Sequence, residues 1–389
     1  MTGKSLRIAY VTPELATELS GWSGLVRHIR DALTAEGHLI HDIDNLKPAV
    51  PLSTRMRGWW ARFVLRQPYG YDRDVDLARS LARCAERKLR DLDVDCIVSP
   101  QTYSLTMMDS RIPTAAWGDA TFHALMHLYP GGLAISASSV RQGHYIERRA
   151  IQRACFLAYA SNWAAQDAIS YYGADPAKVE VIPFGANCRE VFATAEMAAA
   201  NWDRKGAKPF RVLFVGKEWE RKGGPLVLET LRELRRRGVD AELWVVGSNP
   251  FAGHPPEGVR CFGLLNKSDP GQLAQWEECY RQCHVFFMPT TAEAFGVVFA
   301  EAAAFGLASI SRRVGGVPDA VAEGRSGYLF APDAGPGVYC DLLEKLAGNL
   351  SLAKDMGLSA YDYHRKVLNW QSAGQRFSAG LIARLGAVR

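Results

Sequence analysis

Arg211-Val212-Leu213-Phe214-Val215-Gly216-Lys217-Glu218-Trp219-Glu220-Arg221-Lys222-Gly223-Gly224-Pro225 joins a short apolar run, a basic glycine-bearing loop and a proline. The run at 211–215 predicts a buried strand, because it is too short for a helix and shows no polar alternation. Pro225 suits the first turn of a helix, where a missing N–H costs nothing, and helical periodicity continues to residue 237. Outward from this unit the same alternation repeats. Strands are predicted at 242–246, 259–262, 285–288 and 309–311, and helices at 272–282 and 296–304. Toward the N-terminus, strands are predicted at 7–12, Cys96–Ser99, 114–117, 157–160 and 179–182. A helix over 25–36 ends at Gly37. Strands alternating with helices predict an α/β protein with parallel sheets.

With 389 residues the prior is two to three domains, and 48% apolar residues against a net charge of +5 exclude disorder as the main state. That charge is spread over both halves, so no nucleic-acid partner is expected. No window is long and apolar enough for a membrane span. The run at 6–11 is too short for a signal-peptide core. Eight scattered cysteines, of which only Cys279 and Cys283 lie close, predict reduced thiols, no metal site and a cytoplasmic chain. The polar, Ala-rich stretch 189–209 reads as a linker between domains at 1–188 and 210–371. Residues 355–389 are helical in pattern.

Three segments carry candidate chemistry. In the first, glycines permit close backbone approach, the helix start offers unpaired N–H groups, and Lys217 and Lys222 add charge. A diphosphate fits there, as does a plain solvated loop. The second is Glu293-Ala294-Phe295-Gly296-Val297-Val298-Phe299-Ala300-Glu301. Glu293 falls in the loop after a strand, while Glu301 lies inside an Ala-rich helix where a carboxylate needs a partner. The amides of Gly296, Val297 and Val298 stand where a helix start binds anions. The third, Gly315-Gly316-Val317-Pro318-Asp319, reads alone as a turn.

In this order and spacing the three segments resemble the donor-binding domain of glycosyltransferase family 4, whose members have the GT-B fold of two Rossmann-like domains facing across a cleft. The resemblance is strong over 211–332 and looser over 161–185 and at Gly37-His38. It implies a retaining transferase using a nucleoside-diphosphate sugar, of UDP or GDP type, without metal or cofactor. Lys217, Lys222 and the amides at 296–298 would hold the diphosphate, with Gly21 approaching it. Glu293 and Phe295 would hold the transferred sugar, Glu301 the ribose, and the backbone around Leu265 and Lys267 the base. Residues 372–389 would return to the first domain. Glycan, lipid-linked and small-molecule acceptors all fit, and an epimerase or a non-catalytic nucleotide-sugar binder remain alternatives.

The N-terminal half departs from the family pattern. Gly118-Asp119 stands where members carry a His-Asp pair, and His123 follows. Asp119 is expected to reach the sugar or acceptor hydroxyl, with His123 second, unless Asp119 only caps the next helix. The loop Ser20-Gly21-Trp22-Ser23-Gly24 replaces the family's Gly-Gly pair. Five overlapping Asp-x-Asp pairs read as composition rather than a metal motif. Finally, 45–71 holds Lys47, Arg55, Arg57, Arg62 and Arg66 and no acid, interleaved with Trp59, Trp60 and Phe63. That profile suits either an acceptor-side helix, with Trp22, Arg57, Trp59 and Trp60 lining it, or peripheral contact with the inner face of a membrane.

Overall fold

Two six-stranded parallel sheets organise the chain. The structure, a computed structural model, describes residues 5–19, 21–129, 133–189, 191–206 and 208–388. Ser20 of the glycine loop and the first four residues lie outside the described residues. The chain divides into one unit of Met1–Pro183 with Trp370–Arg389 and another of Phe184–Asn369.

The first sheet contains β1 (Arg7–Val11), β2 (Leu39–Ile43), β3 (Cys96–Ser99), β4 (Thr114–Gly118), β5 (Phe156–Tyr159) and β6 (Val179–Val181), in the order β2-β1-β3-β4-β5-β6. The second contains β7 (Phe210–Val215), β8 (Ala241–Val246), β9 (Val259–Gly263), β10 (Val285–Phe287), β11 (Ala308–Arg312) and β12 (Gly327–Phe330), in the order β12-β11-β10-β7-β8-β9. Central strands are buried on both faces, which is why they read as continuous apolar runs. In each sheet the winding reverses beside the first strand, at β1/β3 and at β7/β10. Such a reversal splays the loops beyond the strand ends apart and leaves a crevice for a ligand.

Both sheets have an edge strand that the sequence does not announce. In β2, Leu-Ile-His-Asp-Ile is half exposed, and in β12 a glycine leads a four-residue strand whose second and fourth residues are half exposed. The stretch 189–209 also differs from a strandless linker: it contains helix Ala195–Asp203 inside the second unit. Its Trp202 is buried and donates Nε1–H to the Gly306 carbonyl at 2.8 Å, so the alanines pack rather than span.

The helical C-terminal stretch is two helices, Leu350–Lys366 and Trp370–Val388. The second belongs to the first unit. Phe377 stacks on Trp117 at 4.7 Å, and a side chain on Gly374 would come within 3.0 Å of the Ala32 carbonyl of helix Leu25–Ala35. Two of the Asp-x-Asp pairs are intramolecular partners of arginine: Asp93 and Asp95 for Arg7, Asp74 and Asp76 for Arg57. All eight cysteines are free. Among the described residues no helix is long and apolar enough to cross a membrane, and no group of three His, Cys, Asp or Glu side chains could hold a metal ion.

Candidate functional site

The loops that leave β7 and β10 meet at the winding reversal of the second sheet. Short backbone bonds staple them: Thr291 N–H donates to the Arg221 carbonyl at 2.9 Å, and Arg221 returns a guanidinium N–H to the Ala292 carbonyl. This places Lys222 against Glu293, and the two form an ion pair with both side chains largely buried. The third segment joins them, because Gly316 N–H donates to the Glu293 carbonyl at 3.2 Å. Three motifs separated in sequence therefore share one strand-end cluster.

Glycine is required on both sides of the pair. Gly223 has φ +83°, and a Cβ there would lie 2.8 Å from the Pro289 carbonyl carbon and closer still to its oxygen. Gly296 has φ +85° and caps helix Val297–Ala304 in the left-handed region, where a Cβ would lie 2.6 Å from Phe299. No side chain caps that helix, so its first amides have no side-chain acceptor, the condition under which a helix start takes an anion. Lys222 lies across Gly216, whose Cβ would sit 2.9 Å from its Cγ. Lys217 is exposed, and Val297 and Val298 are half-buried. Phe295 is buried edge-on to Phe184, with centroids 5.5 Å apart.

Glu301 is buried on the same helix and has its partners within the protein. Lys267 Nζ lies 2.6 Å from Oε1, and the Tyr280 hydroxyl donates to Oε2 at 3.3 Å. Lys267 also donates to the Asn187 carbonyl at 3.2 Å and sits 3.9 Å over the Trp276 ring. Burial pushes the neighbouring Cys188 thiol up to about 12 and holds Tyr280 well above its usual range. A carboxylate has roughly four acceptor positions, so a hydroxyl pair can still bind beside these two partners. Leu265, half-buried, precedes Lys267 in the same loop after β9. Tyr280 and Asn187 were not among the residues singled out from sequence. The i, i+4 spacing of Trp276 and Tyr280 is the one sequence signal for the tyrosine.

In the first unit the residues after β4 enter a different cluster. Thr121, not Asp119, caps helix Phe122–Leu128, its hydroxyl accepting from Ala124 N–H at 3.1 Å. Asp119 is half-buried just ahead of that cap. His123 Nδ1 lies 2.6 Å from Asp167 Oδ1, and its ring stacks on Tyr171 at 3.6 Å. A carboxylate only accepts, which puts the imidazole proton on Nδ1 and the lone pair on Nε2. Asp167 also accepts from the Thr121 hydroxyl. Sequence reading named His123 but not Asp167 or Tyr171, which lie on or beside helix Asn162–Ser170.

The remaining candidates are placed individually. Gly21 and Trp22 form a tight turn after β1, where Trp22 has φ +42°. Arg57 is committed to Asp74 and Asp76 at 2.8 and 2.7 Å, whereas Trp59 and Trp60 are exposed.

Residues 209–349 match the family described as glycosyl transferases group 1. The D-inositol 3-phosphate glycosyltransferase of Paenarthrobacter aurescens is 30% identical over 237 residues, 58% of this chain and 56% of that protein. The protein of the same name from Segniliparus rotundus is 34% identical over 178 residues, 42% of this chain and 38% of that protein. The chain thus spans about half the length of the first of these relatives and less of the second. Among solved structures, the sucrose-phosphate synthase of Thermosynechococcus elongatus aligns with a TM-score of 0.68 at 17% identity, covering 99% of this chain and 100% of that one. Anabaena HepE in complex with UDP and glucose aligns at 0.63 and 14%, covering 97% and 100%. At these identities the likeness shows the fold, the GT-B architecture with its two Rossmann-like units. All three motifs fall inside the stretch, residues 209–349, that matches the glycosyl transferases group 1 family.

Proposed function

We propose that this protein is a retaining, metal-independent glycosyltransferase of family 4. It moves a sugar from a nucleoside-diphosphate donor to a glycan, lipid-linked or small-molecule acceptor. The observation that carries the proposal is the Lys222–Glu293 pair at the β7/β10 reversal, beside the uncapped start of helix Val297–Ala304. A cation, a carboxylate and helix-terminal amides converge there, the groups that a diphosphate and the hydroxyls of its sugar call for.

In this scheme the second unit holds the donor. Lys217, Lys222 and the amides of Gly296, Val297 and Val298 bind the diphosphate. Glu293 and the backbone at Phe295 orient the sugar. Glu301, Lys267 and Leu265 take the nucleoside. As the bond from the anomeric carbon to the phosphate oxygen breaks, negative charge collects on the leaving diphosphate. Lys222 then exchanges Glu293 for that charge, and the helix amides stabilise it without reorganising. The acceptor oxygen bonds the anomeric carbon on the face the phosphate leaves, and its proton passes to the departing phosphate oxygen. The configuration is thereby retained.

The first unit serves the acceptor in this scheme. Asp119 and His123 meet the sugar or acceptor hydroxyl, with Gly21 toward the diphosphate and Trp22 and Arg57 on the acceptor side. The relatives' name, D-inositol 3-phosphate glycosyltransferase, makes a phosphorylated cyclitol the first acceptor to assay. UDP-glucose is the first donor.

A thermal-shift screen of UDP-, GDP- and ADP-sugars identifies the donor, since a ligand at a hundred times its Kd stabilises by about 2.7 kcal/mol. Transfer is then followed with the donor found. Glu293→Gln is expected to abolish most transfer, and a variant rate near wild type overturns the site assignment. Donor turnover that needs no acceptor would instead mark an epimerase.

A further inference from the structure

Helix Leu52–Phe63 is built inside out for a globular protein. Leu52, Met56, Trp59, Trp60 and Phe63 recur at i, i+4, i+7, i+8 and i+11, which places them within an arc of about 100°. All five are exposed, from 54% for Trp60 to 72% for Leu52. Such a stripe normally faces a core. Here the helix cannot rotate to bury it, because the opposite face is fixed. The buried Thr54 donates to Asp74 at 2.7 Å, and Arg57 bonds both Asp74 and Asp76. Gly58 admits the Tyr71 ring, whose Cζ would lie 2.8 Å from a Cβ, and Ala61 is buried.

The charges within 45–71 are of one sign, the acids Asp74 and Asp76 beneath the helix being paired with Arg57. Arg55 and Arg62 lie along one edge of the apolar arc and Arg66 follows the helix, all exposed, and 45–71 contains no acid. The Arg62 guanidinium lies 5.5 Å from the Phe63 ring, so the cation and the apolar surface present together. Val64 and Leu65 extend the exposed apolar surface past the helix end. Beside it opens a concavity of about 670 Å³ walled chiefly by Met56, Trp59, Trp60, Ala61, Leu65 and Tyr69.

We propose that this face seats the protein on an anionic lipid bilayer. The stripe enters the headgroup–acyl boundary to a depth of about 5–10 Å, with Trp59 and Trp60 at the level their amphipathic rings prefer. Arg55, Arg62 and Arg66 lie in the headgroup layer against lipid phosphates. A second copy of the chain is a poorer occupant, since a two-fold contact sets each patch against itself and brings like charges together. The seat belongs to the first unit, whereas the Lys222–Glu293 pair belongs to the second.

Flotation of the full chain with vesicles tests this. Vesicles of phosphatidylcholine alone are compared with vesicles in which about a third is phosphatidylglycerol. Expected are binding to the anionic vesicles at least about tenfold above the neutral ones, and its loss in concentrated salt. Trp59→Ala with Trp60→Ala removes the binding, and Arg55→Glu with Arg62→Glu removes the anionic preference. The melting temperature should be unchanged in both variants, because all four side chains are exposed. Absence of binding to anionic vesicles at low salt, or undiminished binding by both variants, overturns the proposal. So does a wild-type dimer that the tryptophan variant converts to monomer.

Discussion

The two units wind their sheets alike yet place their polar groups differently. In the second unit, Lys222 and Glu293 sit at the reversal point between β7 and β10, held by two glycines that no other residue can replace without strain. In the first, the reversal lies at β1/β3, but the His123–Asp167 pair forms two strands away, beyond β4 and β5. One unit presents a charge pair suited to a diphosphate, and the other an oriented imidazole suited to a hydroxyl. A shared scaffold therefore leaves chemistry to be set by which strand ends carry the loops.

The largest effect should come from the second unit. Lys222→Ala removes a largely buried cation and leaves Glu293 unpaired, so donor turnover should fall about 10²–10³-fold. Lys217→Ala removes an exposed cation that solvent and salt screen, so its loss should stay within about tenfold. Steady-state kinetics on both variants separates the two lysines. Equal losses would break the distinction drawn between buried and exposed charge.

A backbone comparison follows. Gly223 in the second unit and Gly173 in the first both have positive φ, +83° and +71°. Around Gly173 nothing lies within 4 Å of a Cβ, while at Gly223 the Pro289 carbonyl fills that space. Gly173→Ala should cost only the left-handed penalty, about 1–2 kcal/mol. Gly223→Ala adds a backbone clash and should cost at least about 3 kcal/mol. Chemical denaturation reads both. Similar costs would mean that the loops after β7 and β10 can part.

These contrasts also explain what the sequence made legible. The motifs of the second unit are local: Lys217 and Lys222 share one loop, Glu293 and Gly296 another, and glycines mark both. The order of the segments then sufficed to bring them together. His123 and Asp167 are 44 residues apart on two helices, and no spacing rule connects them. The central strands read as continuous apolar runs and the half-exposed edges β6 and β9 were legible too, whereas β2 is interrupted by His41-Asp42 and β12 is a four-residue strand led by Gly327. Helix Ala195–Asp203 was hidden because alanines among polar residues read equally well as linker.

A buried carboxyl in the first unit supplies a pH test. Glu147, on helix Ala137–Arg153, accepts from the Thr102 hydroxyl at 2.7 Å through Oε2, while its Oε1 has no hydrogen-bond partner among the described residues. Burial pushes its carboxyl from 4.5 up to about 7. The folded chain therefore holds a proton that the unfolded chain loses between those values, and stability falls as pH rises through that window. At full extent the loss is about 3 kcal/mol. Glu147→Gln, which stays neutral, should be more stable than wild type at pH 8 and differ little at pH 4.5. A pH-independent difference would show that Glu147 does not titrate in this range.

The smallest effect expected is that of Asp167→Asn, and it bears on whether the first unit's imidazole is oriented or merely packed. Asp167 fixes the proton of His123 on Nδ1 because a carboxylate can only accept. An asparagine offers both a carbonyl and an amide to the same nitrogen, so both tautomers become accessible while ring stacking on Tyr171 keeps the imidazole in place. Asp167 acts through His123 as a positioning residue, so turnover should drop only about five- to tenfold, or 1–1.4 kcal/mol. The nitrogen shifts of the His123 ring by NMR separate orientation from packing: wild type should show one tautomer and the variant a mixture. If the variant keeps a single tautomer, the proton is set by something other than Asp167. The contrast between a charge pair in one unit and an oriented imidazole in the other would then fail on the first unit's side.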